Sequence, residues 1–170
     1  MSDLRSLLED QIKDIYSAEK QVSRALPKLA QAAQDKKLVK AFEDHLEETR
    51  GQIKRIEQIG AFMEIEVTGE KCDAAEGLIK ESESVIEDHD AGPTRDAGLI
   101  TAAQRFEHYE IAAYGSAREF ARQLGLEEVA QLLQETLDEE SHANELLNQI
   151  ALDRVNMKAA GGSNGKSQEP

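Results

Sequence analysis

Glu107 and Glu110 stand three residues apart in a stretch whose periodic positions also hold Ala103, Ile111 and Tyr114. At about 100° per residue, a helix carries both carboxylates as neighbours on one inward face. Two acids so placed repel unless a proton or a cation lies between them. Glu139 and His142 form a Glu-x-x-His pair. One helical turn lets a carboxylate oxygen and an imidazole nitrogen reach the same ion. His45 projects inward one turn after Phe42, and Glu48 follows it in the reverse order, His-x-x-Glu. Glu19 falls between Ile15 and Val22 on another apolar stripe. Burying an unpaired carboxylate is costly or forces it to protonate, so acids on apolar stripes need partners. Oxygen donors with one or two imidazoles suit iron or manganese. Calcium rarely takes imidazole, and structural zinc sites usually draw on cysteine. Each residue also has a plainer reading: Glu19 as a boundary glutamate, His45 as a hydrogen-bonded core histidine, His142 as a boundary histidine.

Four long helices are needed to bring these groups together. The first spans residues 3 to about 34, capped by Ser2 or Asp3, with Leu4, Leu8, Ile12, Ile15, Val22, Leu26 and Leu29 at three- and four-residue spacing. Pro27 is expected to kink it or end it early. A polar turn at 34–37 leads to a second helix over about 37–63, antiparallel to the first. Residues 64–93 read as a crossover containing a short helix at 74–88. A third long helix follows over about 94–124, capped by Thr94, then a break at Gly125 and a fourth helix to about 157. Counted from the turns near 35 and 125, Glu19, Glu48, Glu107, Glu110, Glu139 and His142 fall in one layer a few turns thick, at ~1.5 Å rise per residue. His45 lies about one turn shallower. Such alignment favours a shared site over independent boundary residues. The expected fold is all-α: a domain over 1–160 made of two antiparallel hairpins with a short extra helix in the crossover, then a flexible tail over 161–170.

The composition agrees with this reading. Aromatics are only 4% and charged residues 32%, which favours helix over sheet. A net charge of -14 is unsuited to nucleic acid, whose phosphates call for a basic face. No apolar run approaches a membrane span. A single cysteine, Cys72, allows no intramolecular disulfide, and the first residues do not read as a signal peptide, so a cytoplasmic location is expected.

A glutamate from each of two helices with Glu-x-x-His from the other two is the arrangement of ferritin-like di-metal carboxylate bundles. The stretches Tyr16-Ser-Ala-Glu-Lys20, ALPKLA at 25–30, HLEETRGQIKRI at 45–56, EGLI at 76–79, RFEHYEIAAYG at 105–115 and LLQETLDEE at 132–140 resemble the YciF-like bacterial stress proteins of the ferritin-like superfamily. The resemblance covers about 3–157. It implies a ferritin-like four-helix bundle, homodimers, two iron ions (or manganese) and a stress-associated role. It implies carboxylate ligands at Glu19, Glu48, Glu107, Glu110 and Glu139, with His142 completing the last pair. In the second helix, Gly51 stands three residues after Glu48 where a histidine is usual, so His45 would substitute from the other side. The expected function is redox chemistry on peroxide, dioxygen or ferrous iron, by a peroxidase- or ferroxidase-like enzyme. No rubredoxin-like cysteine set is present, so electrons would come from an external donor. Tyr16, Tyr109 and Tyr114 are candidate donors around the ions. The competing expectation is a non-catalytic helical stress or scaffold protein that keeps a metal-binding bundle.

Overall fold

Asp3 opens the first helix by accepting a hydrogen bond from the Ser6 amide at 2.8 Å, which satisfies an otherwise free N–H. In the computed structural model, which describes residues 3–161, α1 then runs Leu4–Ala32. Pro27 lies inside it without ending it. The residue is exposed, so the carbonyl one turn earlier, deprived of its amide, shares a water-facing side. Asp35 caps α2, Lys36–Met63, by accepting from the Lys37 amide at 2.9 Å. The linking turn is held from outside as well. Buried Asp96 accepts the amides of Gln34 and Asp35 at 2.9 and 2.8 Å.

Cys72 sits at the cap of α3, Asp73–Asp88. Asp73 and Glu76 lie in its first turn, where the helix dipole favours negative charge. α4 spans Pro93–Gln123. Thr94 does not cap it; Gly92 holds that place and Pro93 starts the helix, where its missing N–H is no loss. Gly125, at φ 71°, makes the turn into α5, Glu127–Ile150. The expected unbroken helix to 157 is interrupted. Residues Ala151–Val155 form a wider π turn before a last helical turn, α6, Asn156–Ala159. That turn buries both Ala151 and Val155 and lets Arg154 reach Asp35 at 2.9 Å. The helical elements run from Leu4 to Ala159, within the domain expected over 1–160. The tail expected over 161–170 lies, beyond Gly161, outside the described residues, as does Ser2.

The fold is an all-helical bundle, with no strand among the described residues. α1 packs on α2 and α4, and α5 packs on α4 and α2. α3 lies across α1 and α4. Its approach to α4 depends on Gly98, where an added Cβ would meet Val85 Cγ1 at 2.7 Å. No helix among the described residues is long and apolar enough to cross a membrane.

The core is built in two blocks. One gathers Val22, Leu26, Leu38, Phe42, Leu99 and Leu147 with their neighbours. The other gathers Leu8, Ile12, Ile56, Ile59, Ala117 and Leu133. Between them each long helix places polar residues on its inner row: Glu19 on α1, His45, Thr49 and Gln52 on α2, Glu107 and Glu110 on α4, Thr136 and Glu140 on α5.

Candidate metal centre

The middle layer follows from the packing rows. On α2 the buried positions run Phe42, His45, Thr49, Gln52, Ile56, Ile59, Met63, alternating three and four residues. On α5 they run Leu133, Thr136, Glu140, Ala143, Leu147, Ile150 in the same rhythm. Polar residues on these rows are turned away from solvent and meet one another. His45, Glu107, Glu110 and Glu140 do so. One donor atom from each lies within 4.8 Å of the others, and all four residues are buried. His45 Nε2 is 3.5 Å from Glu107 Oε1 and 3.8 Å from Glu140 Oε2. Glu19, fully buried, joins from α1, and Tyr114 donates its hydroxyl hydrogen to Glu19 Oε1.

With every carboxylate ionised, Glu19 Oε2, Glu107 Oε2, both oxygens of Glu110 and Glu140 Oε2 accept no hydrogen bond. A layer of unpartnered buried oxygens is unstable as it stands. Protons are one remedy. Burial, followed by the field of Glu140, pushes Glu19 up to about 8. Burial raises Glu107 to about 7, opposed by a hydrogen bond from Glu140 and reinforced by the charges of Glu19 and Glu48. Burial and the surrounding carboxylates hold Glu110 and Glu140 well above the usual range. For His45, burial lowers the pKa, but the hydrogen bond to Glu48 and the charges of Glu140 and Glu19 outweigh it, and the net shift is upward. Cations are the other remedy. Carboxylate oxygens and one imidazole converging in a dry layer fit hard or borderline divalent ions.

The structure divides the residues expected at this site. Glu19, His45, Glu107 and Glu110 meet in the layer. Glu48 is at its edge, with a side chain 42% exposed and Oε2 3.5 Å from His45 Nδ1. His142 is exposed, and borders with Glu48 a pocket that opens toward His45. Glu139, read as inward, instead lies on the flank. Arg55 holds it in a fork at 3.0 and 2.9 Å. Glu140 takes the inward place, a residue that the sequence reading missed. The misreading came from Leu132, which is only half-buried and drew the apparent stripe off the true row. Gln52 was also missed. Its Nε2 donates to Glu140 Oε1 and, at 3.1 Å, to Glu139 Oε2, joining the layer to the flank. Gly51, read as standing in the histidine place, faces solvent; on the observed row that place is Gln52, as Ala143 is on α5. Of the tyrosines, only Tyr114 reaches the layer. Tyr16 donates to Glu57 on the outside, and Tyr109 donates to Asp14 at 2.5 Å beside Cys72.

The family described as Domain of unknown function (DUF892) matches residues 3–160. The chain belongs to the DUF892 family. Among its relatives, Protein YciF of Escherichia coli strain K12 is 50% identical over 149 residues, 87% of this chain and 90% of that protein. The crystal structure of the E. coli stress protein YciF matches with a TM-score of 0.88 and 46% identity, covering 92% of this chain and 99% of that one. YcfI of Rhodopseudomonas palustris, described as a candidate structural protein, matches with a TM-score of 0.83 and 38% identity over 86% of this chain and 94% of that one. A Xanthomonas campestris protein at 21% identity shares the DUF892 fold, with a TM-score of 0.73 over 94% of this chain and 98% of that one.

Proposed function

We propose that the buried layer holds two divalent ions, iron or manganese, and that the protein uses them for redox chemistry on peroxide, dioxygen or ferrous iron in the bacterial stress response. The observation that carries the proposal is the set of unpartnered carboxylate oxygens gathered around His45. Charge supports the number of ions: Glu19, Glu107, Glu110 and Glu140 ionised carry four negative charges, which two divalent cations balance. His45, Glu107, Glu110, Glu140 and Glu19 are the ligands of this reading, in a bundle of ferritin-like arrangement. Glu139 and Glu48 stand beside them rather than among them.

Two adjacent ions of variable valence would supply the two electrons that reduce a peroxide bond. The chain's own residues do the rest. Phe42, Val22 and Leu147 on one side and Ile15, Ile56 and Leu133 on the other keep the layer between apolar blocks. Gln52 fixes one oxygen of Glu140, leaving the other turned to the centre. Tyr114 does the same for Glu19, and burial holds its phenol well above the usual range, so it remains a hydrogen-bond donor. The protons held by Glu107 and Glu19 must leave when cations bind, so affinity rises with pH through about 7 to 8.

The single imidazole favours a second reading. With Gln52 and Ala143 in the histidine places, a non-catalytic protein that keeps the ions as structural elements accounts for the same layer. Anaerobic loading of the chelator-stripped protein with ferrous iron, followed by metal analysis and then oxygen or peroxide consumption, tests both. About two ions per chain with turnover is the expected result. Binding without turnover favours the structural reading, and no binding ends both. Glu110→Gln should remove most of the bound metal.

A further inference from the structure

We propose that Glu48 and His142 form a transit site that captures a divalent cation and passes it inward to the buried carboxylates. The inference rests on the metal-centre reading. A pocket of about 120 Å³ opens between α2 and α5, with Glu48 and His142 at its exposed rim and His45 and Glu107 at its floor. The floor is unsatisfied. Glu107 is 3% exposed, and its Oε2 accepts no hydrogen bond.

Among the described residues, the rim carries one acid that is not committed to a lysine or arginine. Asp44 also borders the pocket, but Lys40 Nζ holds both its oxygens at 2.8 and 2.7 Å. Glu48 contacts His45 instead. His45 is placed to act between the two ends. Its Nδ1 faces Glu48 at 3.5 Å and its Nε2 faces Glu107 at 3.5 Å. A cation shedding water needs a replacement donor at each step, because a partly dehydrated ion in an apolar passage is costly. Glu48 and His142, then His45, then Glu107 provide that succession.

A second cavity also reaches His45 and Glu107, from under α3. It measures about 20 Å³, and its walls are Leu26, Leu29, Leu78, Ile79 and Phe106, relieved only by Ser82 and small residues. Short of His45 and Glu107 its walls offer a hydrated ion no charge, and the space is small. The route between α2 and α5 is therefore the one suited to cations.

The test uses Co²⁺, whose visible absorption reports binding, added in stopped flow to the chelator-stripped full-length protein. Glu48→Gln with His142→Gln is the variant; both side chains are exposed, so the fold is retained. The expected result is wild-type final cobalt content reached about tenfold more slowly, with a weaker dependence of rate on salt, since rim charge focuses cations. Unchanged loading rates would overturn the proposal. So would a lower final content at an unchanged rate, which would make the pair permanent ligands. A wild-type protein that takes up no Co²⁺ would overturn the metal-centre reading itself, and the transit site with it.

Discussion

Replacing Glu107 by glutamine removes one buried charge and keeps the shape of the side chain. In the wild-type chain burial, then the charges of Glu19 and Glu48, lift this carboxyl from 4.5 to about 7 despite the hydrogen bond from Glu140. The folded state therefore binds this proton more tightly than the unfolded one. Below pH 4.5 both states hold it and the charge contributes nothing. As pH rises toward 7, the unfolded chain releases the proton freely while the folded chain resists, and stability falls. Above 7 the loss is complete, on the order of 3 kcal/mol. Glutamine never ionises. Metal-free Glu107→Gln should therefore match the wild type near pH 4.5 and exceed it at pH 8. With ~2–4 °C per kcal/mol for a domain of this size, the gain is roughly 6–12 °C in Tm. Thermal melts of both proteins in chelator from pH 4.5 to 8.5 measure it. A difference in Tm that does not change with pH, or a variant less stable than wild type at pH 8, would refute the reasoning. On the proposed metal-centre reading, in which Glu107 is a ligand, saturating manganese should reverse the order.

Tyr114→Phe removes the one hydrogen bond that Glu19 receives among the described residues, leaving both its buried oxygens bare. It should lower stability by about 1–3 kcal/mol in urea unfolding and weaken metal binding at fixed pH. Asp96→Ala strips the Gln34 and Asp35 amides of their acceptor at the α1–α2 turn. A loss of about 2–4 kcal/mol in the same assay, with metal content unchanged, is expected from two unsatisfied amides.

Much of the bundle was legible because its apolar rows repeat at three- and four-residue spacing and its turns carry Asp35, Gly92 and Gly125. The inward placing of Glu19, His45, Glu107 and Glu110 could be read in the same way, since each interrupts an otherwise apolar row. What failed was register within a row. Glu139 and Glu140 are adjacent, about 100° apart on a helix, and a single half-buried leucine decides between them on paper. In the fold, Arg55 decides. A guanidinium from α2 holds Glu139 on the flank, and no pattern local to α5 reveals it. Gln52 escaped notice for a related reason. Glutamine is ordinary on a helix surface, and only its contact with Glu140 marks it as part of the layer. The π turn at Ala151–Val155 was likewise hidden, because it answers to a distant partner, Asp35, rather than to helix propensity.

The division of the apolar core into two blocks has a consequence for cooperativity. The helices run through both blocks, but the side chains that would join them are acids. Without cations the layer between them is held by protons and a few hydrogen bonds, so it is the plane of least cohesion, and the two ends of the molecule are free to open with different free energies. On the proposed metal-centre reading, cations held at that plane by residues of four helices would join the ends into one folding unit. Ion content would then set how sharply the protein unfolds as well as how stable it is, and a change in divalent metal supply would reach the whole molecule through its weakest seam.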